Sequence, residues 1–229
     1  MRALIRALAT LFAVLTATAM AVPVAAAQAH LPVIFVHGFA HVSGQQHVFD
    51  NMVTQFESGG WTAQQLDVWT YDWKQSNVTT AQQLATEVDR LKKATGAAKV
   101  DIVAHSMGSL SSRYYLKSLG GTANVAHWVS LGGPNHGVSG AVLCGFYDSC
   151  DDMKPNSPML QVLNSGNPTP GPTKYETLRS PYHCDLLVPD DSVILTGATN
   201  LSIDADCTGH LNLPKNYTFI DTAADFLNS

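Results

Sequence analysis

The sequence has 229 residues, of which 45% are hydrophobic and 14% are charged, a balance that excludes an intrinsically disordered chain. The 13 basic residues are outnumbered by 18 acidic ones, which excludes a nucleic-acid binder that works through a basic surface. A chain of this length buries about 70% of the surface that it exposes when unfolded, so it needs neither a metal nor a partner in order to fold.

The N-terminus predicts export from the cell. Arg2 and Arg6 precede an apolar, alanine-rich run that extends to Val22, and small residues follow. This pattern is typical of a signal peptide, here residues 1–29, with cleavage before His30 or two residues earlier. An uncleaved membrane anchor is the alternative. Residues 30–229 carry 11 basic and 18 acidic residues, a net charge of −7, and contain no second apolar stretch long enough to span a membrane.

Residues 30–229 predict a single α/β domain with a mostly parallel sheet flanked by helices, because short apolar runs alternate with segments of helical periodicity. In chain order, the predicted elements are a strand at residues 32–36, a helix at 47–57, a strand at 66–69, a helix at 78–94, a strand at 100–104, a helix at 107–118, strands at 125–131, 174–179 and 192–197, and a helix at 217–227.

Residues 134–172, which we name the cover segment, interrupt this alternation. They are rich in Pro, Gly, Asn and Asp, and 39 residues are too many for a plain connection in a compact domain. Within the segment, Ser157 and Pro158 predict the start of a short helix that ends before Gly166. We expect the cover segment to lie partly over a functional site.

A serine lies where a predicted strand passes directly into a predicted helix, in the motif Ala104-His105-Ser106-Met107-Gly108. Small residues two before and two after the serine allow a tight turn that raises its hydroxyl above the sheet edge, although alanine stands where glycine is usual. The motif therefore predicts Ser106 as a nucleophile. An ordinary helix-capping serine is the alternative.

An acyl-transfer nucleophile also needs two N–H donors for the developing oxyanion. The residue after the serine, Met107, supplies one of them. Phe39 is the candidate for the second, because His37-Gly38-Phe39 directly follows the first predicted strand. We expect a structural role for the His37 ring, since His37 precedes the nucleophile in the chain.

In this architecture the catalytic acid follows the serine in the chain and the histidine comes last. Asp185, after the strand at 174–179, and His210, before the last helix, fit those positions. Asp190 is the main rival acid. The remaining candidates are interpreted as solvated loop acids or as structural or loop histidines: Asp191, Asp204, Asp206, His41, His47, His127 and His136.

Four cysteines in an exported chain predict two disulfides. Spacing favours Cys144 with Cys150 and Cys184 with Cys207. A zinc site that includes His183 and His210 with the second pair is the alternative, but zinc would occupy the proposed base. The acidic pairs at 151–152 and 190–191 lack the pattern of a calcium loop, so no metal or other cofactor is expected.

The chain resembles the small secreted bacterial lipases of the α/β-hydrolase superfamily. The resemblance includes the motif at 104–108, residues 32–38, Leu131-Gly132-Gly133-Pro134-Asn135-His136-Gly137, the stretch from 163 to 171, Asp185 with its apolar followers and Gly209-His210, so it spans essentially the whole predicted domain. It implies the same roles for Ser106, Asp185, His210, Phe39 and Met107, with lipid esters as substrates. The segment after Gly137 is longer than in the minimal lidless members.

These observations predict a secreted, extracellular serine hydrolase that cleaves carboxylic esters of lipids through an acyl-enzyme, without a cofactor. We expect a lipid or small ester as the substrate and transient contact with a lipid interface, but no nucleic-acid partner. The alternatives are a short-chain carboxylesterase, another hydrolase or acyltransferase with the same triad, and a non-catalytic binding protein on this scaffold.

Overall fold

A computed structural model of the chain describes residues 30–39, 47–181, 183–203 and 207–229. The predicted signal peptide, His41, Asp204 and Asp206 lie outside these ranges. The described residues contain six parallel strands, β1 (Val33–Val36), β2 (Leu66–Trp69), β3 (Val100–His105), β4 (Val125–Leu131), β5 (Lys174–Arg179) and β6 (Thr199–Ser202). This parallel sheet, flanked by helices, confirms the predicted fold class.

The strand order is β2-β1-β3-β4-β5-β6. The chain goes from β1 outward to β2 and then returns to the other side of β1 as β3, so the order reverses between β1 and β3. Ligands of open parallel sheets bind beyond the carboxyl ends of the strands at such a reversal. Phe39 follows β1 and Ser106 follows β3, which places both residues at this point.

Seven helices accompany the sheet in the described ranges. They are α1 (Asp50–Ser58), α2 (Asn77–Thr95), α3 (Gly108–Ser118), α4 (Asp148–Met153), α5 (Pro158–Asn164), α6 (Asp190–Val193) and α7 (Tyr217–Leu227). Short 3₁₀ helices occur at Ala63–Gln65, Gly121–Ala123, Ser139–Cys144 and His210–Lys215. The helix predicted at 47–57 begins three residues later, at Asp50, and α7 has the predicted bounds.

Alternate strand residues pack on opposite faces of the sheet. Val33 and Phe35 of β1 join a cluster with α1 and α7, whereas Ile34 and Val36 join a cluster with α2 and α3. All four side chains are fully buried. Because both faces are covered, this strand contains only apolar residues rather than an alternating pattern.

The predicted strand at 192–197 is wrong. Ser192 and Val193 belong to the helix α6 instead. The last strand, β6, begins only at Thr199, after a turn at Gly197 with φ +85°. The Ser192 hydroxyl donates to the carbonyl of Gly137 at 2.7 Å, and the Asn200 side chain accepts from the N–H of Leu195 at 2.8 Å. These side-chain bonds hold an apolar stretch in the core without strand geometry.

The cover segment packs against the N-terminal end of α3. Met153, Leu160 and Leu163 form an apolar cluster with Met107 and Leu110. The short helix predicted after Ser157 is α5, and the Ser157 hydroxyl accepts from the N–H of Leu160 at 3.2 Å. The segment therefore lies beside the turn that carries Ser106.

Candidate active site

The turn between β3 and α3 holds Ser106 in an unusual backbone conformation. Ser106 has φ +54°, in the left-handed region that residues other than glycine rarely adopt. Its N–H donates to the carbonyl of Leu131 on β4 at 2.9 Å, which ties the turn to the sheet. Strain of this kind is a feature of functional sites in which the surrounding structure determines the backbone.

Two glycines permit this turn. A Cβ on Gly108 would lie 2.4 Å from the carbonyl oxygen of Val36 and 2.5 Å from that of His37, so only glycine lets α3 start against β1. A Cβ on Gly38 would lie 2.6 Å from the Cβ of Ser106. The loop after β1 therefore approaches the serine more closely than any side chain would allow.

His210 joins Ser106 to Asp185. The Oγ of Ser106 lies 2.8 Å from Nε2 of His210, and Nδ1 of His210 lies 2.8 Å from Oδ2 of Asp185. Asp185 follows β5, and His210 starts the 3₁₀ helix after β6, so all three residues lie beyond the carboxyl ends of strands. The structure thus brings together three side chains that are 25 and 104 residues apart in the chain.

Asp185 is held as a carboxylate. Its Oδ1 accepts from the N–H groups of Leu187 at 3.0 Å and Val188 at 3.1 Å. Burial by itself raises the pKa of this group, but the hydrogen bond and charge of the His210 ring, with the two N–H donors, bring the pKa of Asp185 below its ordinary value. A charged Asp185 favours the tautomer in which Nδ1 of His210 donates and Nε2 accepts from Ser106.

Two other histidines support the site. His105 is buried and donates from Nε2 to the carbonyl oxygen of His210 at 3.0 Å, and burial lowers the pKa of its ring to about 3, so the ring stays neutral. The His37 ring donates to the carbonyl of Gly38 at 2.8 Å and stacks on Tyr71, whose hydroxyl donates to the carbonyl of His37. Sequence reasoning missed the contributions of His105 and Tyr71, because no local pattern marks either bond.

None of the rival acids and histidines within the described ranges bonds to Ser106 or His210, although His47 lines the cavity above the serine and bonds to Asp50 at 3.0 Å. Asp190 begins α6, with Oδ2 3.9 Å from Nε of Arg179. His127 pairs with Asp101 at 2.9 Å on the sheet, and His136 contacts the carbonyl of Ile194.

Met107 follows Ser106 directly in the chain, and Phe39 lies on the loop after β1 that contacts Ser106 through Gly38. Phe39 follows Gly38 and lines the cavity above the serine, and Met107 immediately precedes α3, where backbone N–H groups have no partner within the helix. Their role as oxyanion donors stays a prediction.

A cavity of about 610 Å³ opens above Ser106 and His210. Its lining combines residues from the loops after β1, β4, β5 and β6 and is mainly apolar. The lining residues outside the triad include Phe39, Val48, Val138, Ala141, Leu143, Met153, Leu187, Val188 and Leu211, with Lys215 as the charged side chain of the lining. This arrangement fits a neutral substrate with an apolar chain.

The cysteines form the pairs that spacing favours, Cys144–Cys150 and Cys184–Cys207. The second disulfide joins the acid-bearing loop to the histidine-bearing loop. Because its two thiols are bonded to each other, they are not available as thiolate ligands to zinc, and the zinc alternative is wrong. The acidic pair at 151–152, which lacks the pattern of a calcium loop, contacts protein groups. Asp151 contacts Lys154, and Asp152 accepts from the N–H of Asn77 at 2.7 Å.

A comparison with known protein families decides the general activity. The model of the class 2 lipase family matches residues 30–187. The chain belongs to this family. It is therefore a carboxylic ester hydrolase of the lipase type, as predicted, and the alternative of a non-catalytic binding protein is wrong. No helix in the described ranges is both long and apolar enough to cross a bilayer.

Solved structures share the fold of this enzyme at low sequence identity. The mature form of Bacillus licheniformis lipase BlEst2 is 20% identical, with a TM-score of 0.72 over 87% of this chain and 92% of that one. Aspergillus fumigatus lipase B is 18% identical, with a TM-score of 0.71 over 88% of this chain and 53% of that one. The metagenomic carboxyl esterase MGS0156 is 18% identical, with a TM-score of 0.66 over 86% of this chain and 69% of that one.

Proposed function

We propose that the enzyme is a secreted lipase in which Ser106 is the nucleophile, His210 the general base and Asp185 the residue that orients the base. The observation that carries this proposal is the unbroken hydrogen-bond series from Ser106 through His210 to Asp185, with both links at 2.8 Å, at the floor of an apolar cavity. A nucleophile needs a base within such reach, and the base needs a third group that fixes its tautomer.

In the acylation step, Nε2 of His210 accepts the proton of Ser106 as Oγ attacks the ester carbonyl carbon. The tetrahedral intermediate collapses when the bond to the alcohol oxygen breaks, and His210 returns the proton to that oxygen. The alcohol leaves, and the acyl group remains bound to Oγ. Asp185 stays charged throughout and stabilises the imidazolium that forms.

Water completes the cycle. It attacks the acyl carbonyl while His210 accepts one of its protons, and the second intermediate releases the carboxylic acid as the proton returns to Oγ. The N–H groups of Phe39 and Met107 stabilise the oxyanion in both intermediates, because they lie beside Ser106 on the two loops that the glycine contacts hold together.

The substrate is a lipid ester with an apolar acyl chain. The cavity supports this assignment through its volume and its mainly apolar lining. Exposed apolar side chains also line it, among them Leu143 at 85% exposure and Leu187 at 59%. Phe146, three residues after Leu143, is 95% exposed. Such a patch supports transient contact with a lipid surface.

Export is part of the proposal. The charged and apolar pattern of residues 1–29 supports it, as do the two disulfides, which persist in oxidising compartments. N-terminal sequencing of the protein from culture medium tests it. A first residue at His30, or two residues earlier, is expected, and an intact N-terminus on a cell-bound protein would contradict export.

The nucleophile is tested with Ser106→Ala and, as a matched control, Ser118→Ala at the exposed C-terminal end of α3, the helix that follows Ser106. Ser106→Ala should lose about 10⁶-fold in kcat on p-nitrophenyl esters and all labelling by a fluorophosphonate, with an unchanged circular dichroism spectrum. Ser118→Ala should keep both activities. Labelling or turnover that survives in folded Ser106→Ala would refute the assignment.

A lipase is separated from a short-chain esterase by the rate on emulsified triglyceride relative to soluble p-nitrophenyl acetate. Phe146→Asp should lower only the emulsion rate, because Phe146 is an exposed apolar side chain three residues after the cavity-lining Leu143 and is not in contact with Ser106. Leu119→Asp, just after the C-terminal end of α3 with 38% exposure, is the control for an added surface charge. Equal loss in both variants would contradict lipid contact through Phe146.

A further inference from the structure

One face of α3 carries the cover segment. Met107, at the turn before the helix, and Leu110 contribute to the apolar cluster with α4 and α5, and Arg113 and Lys117 follow at spacings of three and four residues. Residues at such spacings lie on one side of a helix. The helix that begins beside the nucleophile is therefore also the element on which the cover segment rests.

Arg113 is a buried cation that contacts both ends of the central part of the cover segment. Its Nη1 donates to the backbone carbonyl and to Oδ1 of Asn135, both at 3.3 Å, and its Nη2 donates to the carbonyl of Leu163 and to Oδ1 of Asn164, both at 3.0 Å. The amide of Asn164 donates in turn to the carbonyl of Asn135 at 2.9 Å. One guanidinium thus joins two sites 29 residues apart.

The partners of Arg113 named above are neutral. Only 1% of Arg113 is exposed, and burial lowers the pKa of its guanidinium to about 9. A desolvated cation makes stronger hydrogen bonds than a neutral donor, and the planar fork of arginine reaches several acceptors at fixed angles. Lysine retains the charge but has neither the fork nor the five donors, so it cannot maintain this arrangement.

The residues next to these contacts form the wall of the cavity. Pro134 precedes Asn135, and Val138, Ala141 and Met153 lie between the two sites that Arg113 joins; all four line the cavity above Ser106. The N–H of Val138 donates to the carbonyl of Met153 at 2.9 Å, so a hydrogen bond also joins two residues of the wall to each other. A change in the position of either end would move the wall.

We propose that Arg113 is a positioning residue that sets the acyl-chain preference of the enzyme by holding the cover segment as a fixed wall of the cavity. The proposal rests on the proposed function of this cavity as the acyl site. A wall that moves away from an acyl chain loses contact with its methylenes, whereas an acetyl group next to Ser106 does not reach the wall and is little affected. Arg113 acts through the wall and does not touch the reacting atoms.

The test compares Arg113→Lys with Arg90→Lys, the same chemical change on the half-exposed surface of α2. Rates are measured on p-nitrophenyl octanoate and acetate, well below the melting temperature of each variant. Arg113→Lys should lower kcat/KM for octanoate about tenfold, mostly through KM, which corresponds to lost contact with one or two methylenes. For acetate the change should stay within about twofold, and Arg90→Lys should match the parent enzyme on both esters.

A readout without activity accompanies the rates. Amide hydrogen exchange within residues 135–165 should accelerate in Arg113→Lys and not in Arg90→Lys. If Arg113→Lys does not fold, Asn164→Ala, which removes one acceptor of Arg113 and the link to Asn135, should give the same pattern in weaker form.

Two results would overturn the proposal. Equal losses on octanoate and acetate would show that Arg113 serves stability alone, and unchanged exchange within residues 135–165 would show that it does not hold the cover segment. These two results can be distinguished from failure of the proposed function. In that case folded Ser106→Ala would retain activity, or the parent enzyme would hydrolyse neither ester.

Discussion

Removal of the Cys184–Cys207 disulfide should lower both stability and turnover. The bond connects residues 23 apart in sequence, for which the chain-entropy model gives about 3.4 kcal/mol of stabilisation. For a domain of this size, that corresponds to a fall in melting temperature of about 7 to 14 °C. We therefore expect Cys184→Ala with Cys207→Ala to fold but to melt at a clearly lower temperature.

The loss of turnover has a separate cause. Cys184 adjoins Asp185, and Cys207 lies three residues before His210. Without the bond, His210 retains the hydrogen bond from His105, which joins it to β3, whereas the remaining bonds of Asp185 besides that to His210 are to its own loop, at Pro181, Leu187 and Val188. Misplacement of a catalytic group by about 1 Å can cost about 10²-fold, so we expect kcat to fall between about tenfold and 10²-fold.

The assay is kcat on p-nitrophenyl acetate at a temperature at least 20 °C below the melting midpoint of every variant, so that the fraction unfolded does not contribute. Cys144→Ala with Cys150→Ala is the matched control. That bond spans six residues, for which the same model gives about 2.2 kcal/mol, and it lies in the cover segment rather than between triad loops. It should lower the melting temperature with little effect on kcat for acetate.

Two results would refute this reasoning. If kcat of the Cys184/Cys207 variant equals that of the parent far below its melting point, the disulfide stabilises the fold but does not position the triad. If the two double variants lose kcat equally, the effect comes from general loosening and not from the link between Asp185 and His210.

Three further expectations concern single positions. Asp185→Asn should lower kcat by about 10⁴ and Asp190→Asn should have little effect, because only Asp185 contacts His210; the reverse order in steady-state kinetics would refute the acid assignment. Gly108→Ala should lower the free energy of unfolding in urea by about 1–3 kcal/mol or more, because the added Cβ would overlap two backbone carbonyls. The control Gly140→Ala should be tolerated, because no atom lies within 4 Å of the added Cβ. Glu176 is 3% exposed, and burial raises its pKa from 4.5 to about 7. The folded chain therefore binds the proton of Glu176 more tightly than the unfolded chain does. The free energy of unfolding should fall as pH rises from 4.5 to 7, by about 3 kcal/mol at most. Glu176→Gln should remove this fall in urea melts at pH 5 and pH 8, and an unchanged pH dependence would contradict the assignment.

Local features of this protein were predictable because their causes lie within a few residues. Small residues at 104 and 108 around Ser106 indicate a tight turn, since side-chain volume there decides whether strand and helix meet at that angle. Ser157 followed by Pro158 predicts the start of α5 for a similarly local reason. Five of the six strands were predicted, and β1 is the clearest of them because burial on both faces requires a continuous apolar run.

The strand expected at 192–197 shows where this reasoning ends. Val193 and Leu195 are buried as a strand would require, but apolar content specifies burial and not backbone conformation. The side chains of Ser192 and Asn200 decide the conformation through bonds to Gly137 and Leu195, and the first of these partners is 55 residues away in the chain. No window of neighbouring residues contains that information.

Tertiary structure also decided which candidates meet. Asp185 and Asp190 both follow β5, and only the folded chain directs one toward His210 and the other toward Arg179. The bond from His105 to the carbonyl of His210 joins residues 105 apart, and the contacts of Arg113 extend to residues 51 apart. The sequence by itself determined the fold class and indicated the candidates for the reacting groups, because these follow from local pattern and chain order. Which side chains share a hydrogen bond depends on distances that exist only after the sheet has formed.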